Sequence, residues 1–189
     1  MTVDWSGYPI FPTLFAKRVE ARENFKHELA IKEERKLALA QLTAQNGIVL
    51  EDSYECYLML NAWFRENACP EPGDDENLMV EWICFARDLN LFMCDALVDR
   101  YPWLEWTLYT TSKKSENYQR GVLKGFKNDP RKHVCFAPVF IGWGYVYLKK
   151  PKASATAFVR QFVYGEDIPI EPREDTLNHL LGSDWKSQL

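Results

Sequence analysis

Apolar positions thin out and return along this chain in a rhythm that separates its elements. From about Phe15 to Asn46, Ala, Leu, Glu, Lys and Arg dominate, and neither Pro nor Gly intervenes before Gly47. That predicts a long N-terminal helix with Gly47 as its stop. Its apolar stripe is narrow (Phe15, Val19, Phe25 and Leu29), and Glu28 precedes Lys32 by four residues, the favourable order for an ion pair. The expectation is a solvent-facing helix whose thin stripe also suits the seam of a homodimer. A second helix is predicted at "EDSYECYLMLNAWFREN", with Asp52 or Ser53 accepting from the first free amides and Glu55 reaching back. Tyr57, Leu60, Trp63 and Phe64 then recur at helical spacing. "CPEPGDDEN" breaks the pattern as a surface loop, with Asp74 or Asp75 expected to cap the next helix.

That third helix, about Glu76 to Arg100, is the most informative element. At 100° per residue, Met79, Trp82, Ile83, Ala86, Leu89, Met93, Ala96 and Leu97 cover more than half its circumference, so it should be central and largely buried. Glu81, Asp88, Asp95 and Asp99 fall on one edge, which reads as a solvated acidic face. Asn90 projects into the apolar side, where its amide needs partners and is expected to anchor a neighbouring backbone. Pro102 ends the helix.

The period then changes to two. Leu104, Trp106 and Leu108 alternate with Glu105, Thr107 and Tyr109, a strand with one buried face; "YQRGVLKGF" reads as its return, and a third strand is expected around Val134 to Phe136. The outward side of this hairpin carries Glu105, Tyr109, Lys113, Lys114, Tyr118, Arg120 and Lys124. "APVFIGWGYVYLKK" fits a strand by composition, but its spacing and Pro138 favour a helix. "SATAFVRQFVYG" reads as a short helix capped by Ser154 and stopped at Gly165. The fold class is therefore α+β, with helices packed on a small antiparallel sheet. Residues 1–165 read as one domain, and 166–189 as an acidic, Pro-containing tail.

Charge changes this picture more than composition does. Residues 51–105 carry 3 basic and 13 acidic side chains, whereas 106–152 carry 10 basic and 2 acidic, so the modest net charge of −4 hides two opposed regions. Such fields speak to association. Asp74, Asp75, Asp88, Asp95 and Asp99 are candidates for binding a basic protein partner. Lys113, Lys114, Arg120, Lys124, Arg131 and Lys132 are candidates for phosphates or an acidic partner, with Tyr109 or Tyr118 for base stacking.

Candidate chemistry removes options instead of adding them. The five cysteines are odd in number and irregularly spaced, and His27, His133 and His179 lie far apart, so neither a disulfide framework nor a metal site is expected, and a reducing cytoplasm fits. No secretory leader or membrane span is apparent, which points to a soluble protein. Walker, Rossmann and nucleophile-elbow patterns are absent, so no cofactor or catalytic residue is assigned and an enzyme is not expected.

The run "LVDRYPWLEW" followed by "KKSENYQRGVLKGF" resembles small uncharacterised bacterial proteins of a domain-of-unknown-function type, some of them suspected immunity partners of toxins. The resemblance spans about residues 75–165 and implies an interaction protein whose acidic helical face meets a basic partner. A nucleic-acid binder using residues 113–132, or a small-molecule pocket between sheet and helices, are the alternatives.

Overall fold

The computed structural model describes residues 3–10 and 18–167, with the side chains of residues 18 and 19 left aside. Phe15, the Val19 side chain and the segment 168–189 lie outside that description. Six helices and two antiparallel strand pairs make up the described chain: α1 (Arg18–Ala30), α2 (Lys32–Gln45), α3 (Tyr54–Asn67), β1 (Pro70–Glu71), β2 (Asp74–Leu78), α4 (Val80–Arg100), β3 (Glu105–Leu108), β4 (Gly121–Lys124), α5 (Ala137–Lys149) and α6 (Ala157–Gly165). The class is α+β.

The N-terminal helical run is divided only at Ile31, and its hydrogen bonding continues through the division, with Ile31 N–H donating to His27 and Arg35 N–H to Ile31. The Glu28 to Lys32 pair does not form, because both side chains turn toward α4: Glu28 meets Arg87 and Lys32 meets Asp95. Ser53 caps α3 by accepting from Cys56 N–H.

Between α3 and α4 the expected loop is a β-hairpin. Gly73, at φ +85°, supplies the left-handed residue its turn requires. Asp74 and Asp75 therefore lie in β2 and cap nothing. The first amide of α4 is capped from across the hairpin instead, Val80 N–H donating to Glu71 Oε1 at 2.7 Å.

α4 is the central helix, with thirteen of its 21 residues buried. Trp82 centres an aromatic cluster, its ring 4.7 Å from Trp5, 5.0 Å from Trp63 and 5.2 Å from Phe64. Asn90 Oδ1 accepts from Phe136 N–H at 2.7 Å and so fixes the start of α5 to α4, the backbone-anchoring part expected of it. Asn61 does the same for α6, accepting from Phe158 N–H and donating to the Tyr147 hydroxyl.

β3 and β4 pair in register from Glu105↔Lys124 to Leu108↔Gly121, and an isolated bridge Leu123↔Val134 stands where the third strand was expected. The chain leaves β4 through Gly125, at φ +99°, where a Cβ would stand 2.8 Å from the Trp103 carbonyl oxygen. α5 carries Pro in its first turn as expected. α6 begins later than the Ser154 cap implied, with Thr156 at its N-cap and Ser154 Oγ accepting from Thr156 N–H. Its Phe158, Val159, Phe162 and Val163 are fully buried.

Candidate functional site

The acidic candidates divide into three environments. The first is the β1–β2 hairpin, where Asp74, Asp75, Glu76 and Asn77 are all exposed while Leu78 is buried beneath them. Asp74 is engaged by its own turn, accepting from Asn77 Nδ2 at 2.7 Å and Glu76 N–H at 3.1 Å, and these bonds hold its carboxyl below the usual range. Asp75 and Glu76 form no ion pair with any described basic side chain. Asp99 is also exposed but sits at the opposite end of α4, about 30 Å along the axis from the hairpin.

Asp88 and Asp95 form the second and third environments, and both correct the expectation of a solvated acidic face. Asp88 has no side-chain exposure. Its oxygens accept from Arg35 Nε at 2.8 Å, from Arg35 Nη2, and from the Tyr8 hydroxyl. Arg35 Nη1 in turn donates to the Pro9 carbonyl at 2.6 Å. Burial pushes the Asp88 carboxyl up while Arg35 and Tyr8 pull it back. Asp95 accepts from Lys32 and Lys36, each at 2.7 Å, and from Trp106 Nε1 at 3.2 Å. The stretch of that edge from Asp88 to Asp95 is thus the inside of a charged seam with α1 and α2, while Asp99 stays exposed. Glu28, Lys32, Arg35 and Lys36 recur on one helical face in the sequence, but a charged row of that kind suits solvent equally and does not announce that it meets Arg87, Asp88 and Asp95.

The basic candidates are likewise partly spent inside the molecule. Lys124 pairs with Glu105 across the β3–β4 hairpin at 3.0 Å, Arg120 donates to the Glu116 carbonyl, and Lys132 donates to the Glu166 carbonyl at 2.8 Å. Lys113, Lys114 and Arg131 are exposed. Tyr109 packs edge-on against His133, with 4.9 Å between ring centres, and Tyr118 is half-buried.

Two constellations were not anticipated. Arg100, at the end of α4, donates to both oxygens of Asp52 and, at 2.7 Å, to Glu166, with its guanidinium 4.7 Å from the Phe162 ring centre. Beside it, Asp167 accepts from the amides of Lys127 and Asn128, from Asn128 Nδ2 and from Trp103 Nε1. Both draw on residues 166–167, which are buried although the sequence assigned them to the tail. Only their position just past a Gly-ended helix could have marked them.

A small depression of about 40 Å³ lies between residues 4–8 and α2, lined by Asp4, Ser6, Tyr8, Gln41 and Gln45 among others. It has room for a few water molecules and is not between sheet and helices. Among the described residues no group of three or more His, Cys, Asp or Glu is placed to hold a metal ion. No helix among them is long and apolar enough to cross a membrane. No protein-family model, curated protein or solved structure matches the chain.

Proposed function

We propose that the chain is an interaction protein of the bacterial cytoplasm, an immunity-type inhibitor that binds a basic protein partner through the β1–β2 hairpin. One observation carries this reading. Asp74, Asp75 and Glu76 stand consecutively on an exposed strand with no described cation beside them, whereas Asp88 and Asp95 already have internal partners. Unscreened carboxylates on a hairpin fastened through Leu78 and Glu71 favour fast, salt-sensitive association with a positive surface.

The test is capture of the partner from the native host by the wild-type protein and by the charge-reversal variant D75K/E76K, which leaves the turn bonds of Asp74 in place. Surface changes of this kind leave stability within about 0.5 kcal/mol, so lost capture at an unchanged Tm supports the reading. Undiminished capture by the variant removes the hairpin from the interaction.

A second reading is favoured by the exposure of Lys113, Lys114 and Arg131: a nucleic-acid surface on the basic side. It requires retention on single-stranded DNA or RNA at low salt that falls steeply as salt rises.

A further inference from the structure

The basic segment of the chain already holds an acidic ligand, and that ligand is the chain itself. Asp167 is 6% exposed, and its two carboxylate oxygens are served evenly. Oδ2 accepts from Lys127 N–H at 2.9 Å and from Trp103 Nε1 at 2.9 Å; Oδ1 accepts from Asn128 N–H at 3.0 Å and from Asn128 Nδ2 at 3.2 Å. Four donors converge on one planar group, two to each oxygen, which is the geometry of a carboxylate. Successive amides pointing at one anion form a nest, an arrangement that recognises negative charge wherever it occurs.

The surroundings reinforce the same preference. The Lys127 ammonium lies 3.4 Å from the centre of the Trp103 ring, so the residue that donates its amide to Asp167 also holds the indole that donates Nε1–H to the same carboxylate. The loop also reads the main chain around the acid, because Asn128 Nδ2 donates to the Asp167 carbonyl at 2.8 Å and Lys132 Nζ donates to the Glu166 carbonyl at 2.8 Å. Glu166 itself is extended, at φ −62° and ψ 148°. Burial works against the ionised Asp167, but the bonds from Asn128, Lys127 and Trp103 outweigh it and hold the carboxyl below the usual range.

We propose that the loop at Lys127–Asn128, with Trp103 Nε1, is a carboxylate-binding site that Asp167 fills in cis, its ligand class being the acidic side chain of an extended peptide segment. Residues 166–189 carry 6 acidic and 2 basic side chains, so the segment that supplies the cis ligand is complementary in charge to the loop that receives it. Asp167 directly follows the cap of the packed helix α6 and is buried, so its effective concentration exceeds the millimolar value of a flexible tether and free carboxylates do not displace it from the intact chain. The proposal is independent of the hairpin reading, which concerns a different surface and a partner of opposite charge.

The experiment empties the site and refills it. D167A is compared with the wild type in thermal unfolding with 0 to 200 mM sodium acetate, against sodium chloride and sodium phosphate at matched ionic strength. D167A should melt about 5 °C below the wild type. Acetate should restore about 2 °C or more of this with a saturating dependence, while the wild type does not respond. In parallel, the amide proton resonances of Lys127 and Asn128 should move upfield in D167A and return downfield with acetate.

Several outcomes overturn the proposal: an equal response of D167A to acetate and chloride, an equal response of wild type and variant to acetate, or a gain with phosphate as large as with acetate. A D167A chain that fails to fold without acetate and folds with it supports the proposal. One that stays unfolded at every acetate concentration overturns it.

Discussion

Arg35 and Asp88 are both almost without solvent, at 3% and 0% side-chain exposure, and this fixes what each substitution costs. A buried ion pair adds little over an apolar pair of the same volume, but removing one partner strands the other charge. D88A takes away the carboxylate that the buried guanidinium pairs with while leaving its bond to the Pro9 carbonyl, and should destabilise the protein by about 3–5 kcal/mol in urea unfolding. Taking out the whole constellation is gentler. Y8F/R35M/D88L should recover at least half of that loss, and a triple variant less stable than D88A would show that the three groups contribute as a network. Asn90 illustrates the opposite case, since its place in an apolar face announced in sequence that it must bond something, and it bonds the Phe136 amide. Asp88 gave no such notice, because an aspartate on a helix edge looks the same whether water or a second helix covers it.

Between elements, the seam of α1 and α2 with α4 was half legible. The apolar arc of α4 follows from its period, and so does its burial. Which helix would cover the remaining edge does not, because charged side chains at helical spacing suit both solvent and an opposite row of charges. The β1–β2 hairpin was illegible for another reason: "DDEN" has poor strand propensity, and the strand exists because Gly73 turns the chain and Leu78 anchors it. The seam has a pH signature at Asp95. Burial opposes the ionised carboxylate, and the hydrogen bonds and charge from Lys32, Lys36 and Trp106 outweigh it, so the folded pKa lies below the usual value. In the unfolded chain an aspartate titrates near pH 4, at about 3.9. As pH falls the unfolded chain therefore binds its proton first, and the Asp95 contribution, fully present above about pH 4, is lost as pH drops through the folded value. The stability difference between wild type and D95N, about 1–2 kcal/mol at pH 7, should shrink at pH 3. A difference that holds constant from pH 7 to pH 3 would show that Asp95 titrates alike in both states.

Over the whole molecule, stability rests on packing without covalent staples: all five cysteines are free, and Cys56, Cys84 and Cys94 are buried. Burial pushes the Cys56 and Cys94 thiols up, and Cys135 to about 11, so thiolate is scarce at neutral pH. In the folded protein a chromogenic disulfide reagent should label no more than Cys69 within minutes, then all five on denaturation. Rapid labelling of three or more thiols in buffer would mean that the core opens far more readily than its packing implies. The charged seam also bears on how the chain is made. Arg35 and Asp88 are 53 residues apart. At roughly 5–20 residues per second, a ribosome delivers the second about 3–11 s after the first. Throughout that interval the nascent α2 presents Lys32, Arg35 and Lys36, offset only by Glu33 and Glu34 of its own first turn, a basic row waiting beside the polyanionic surface of the ribosome until Asp88 and Asp95 emerge.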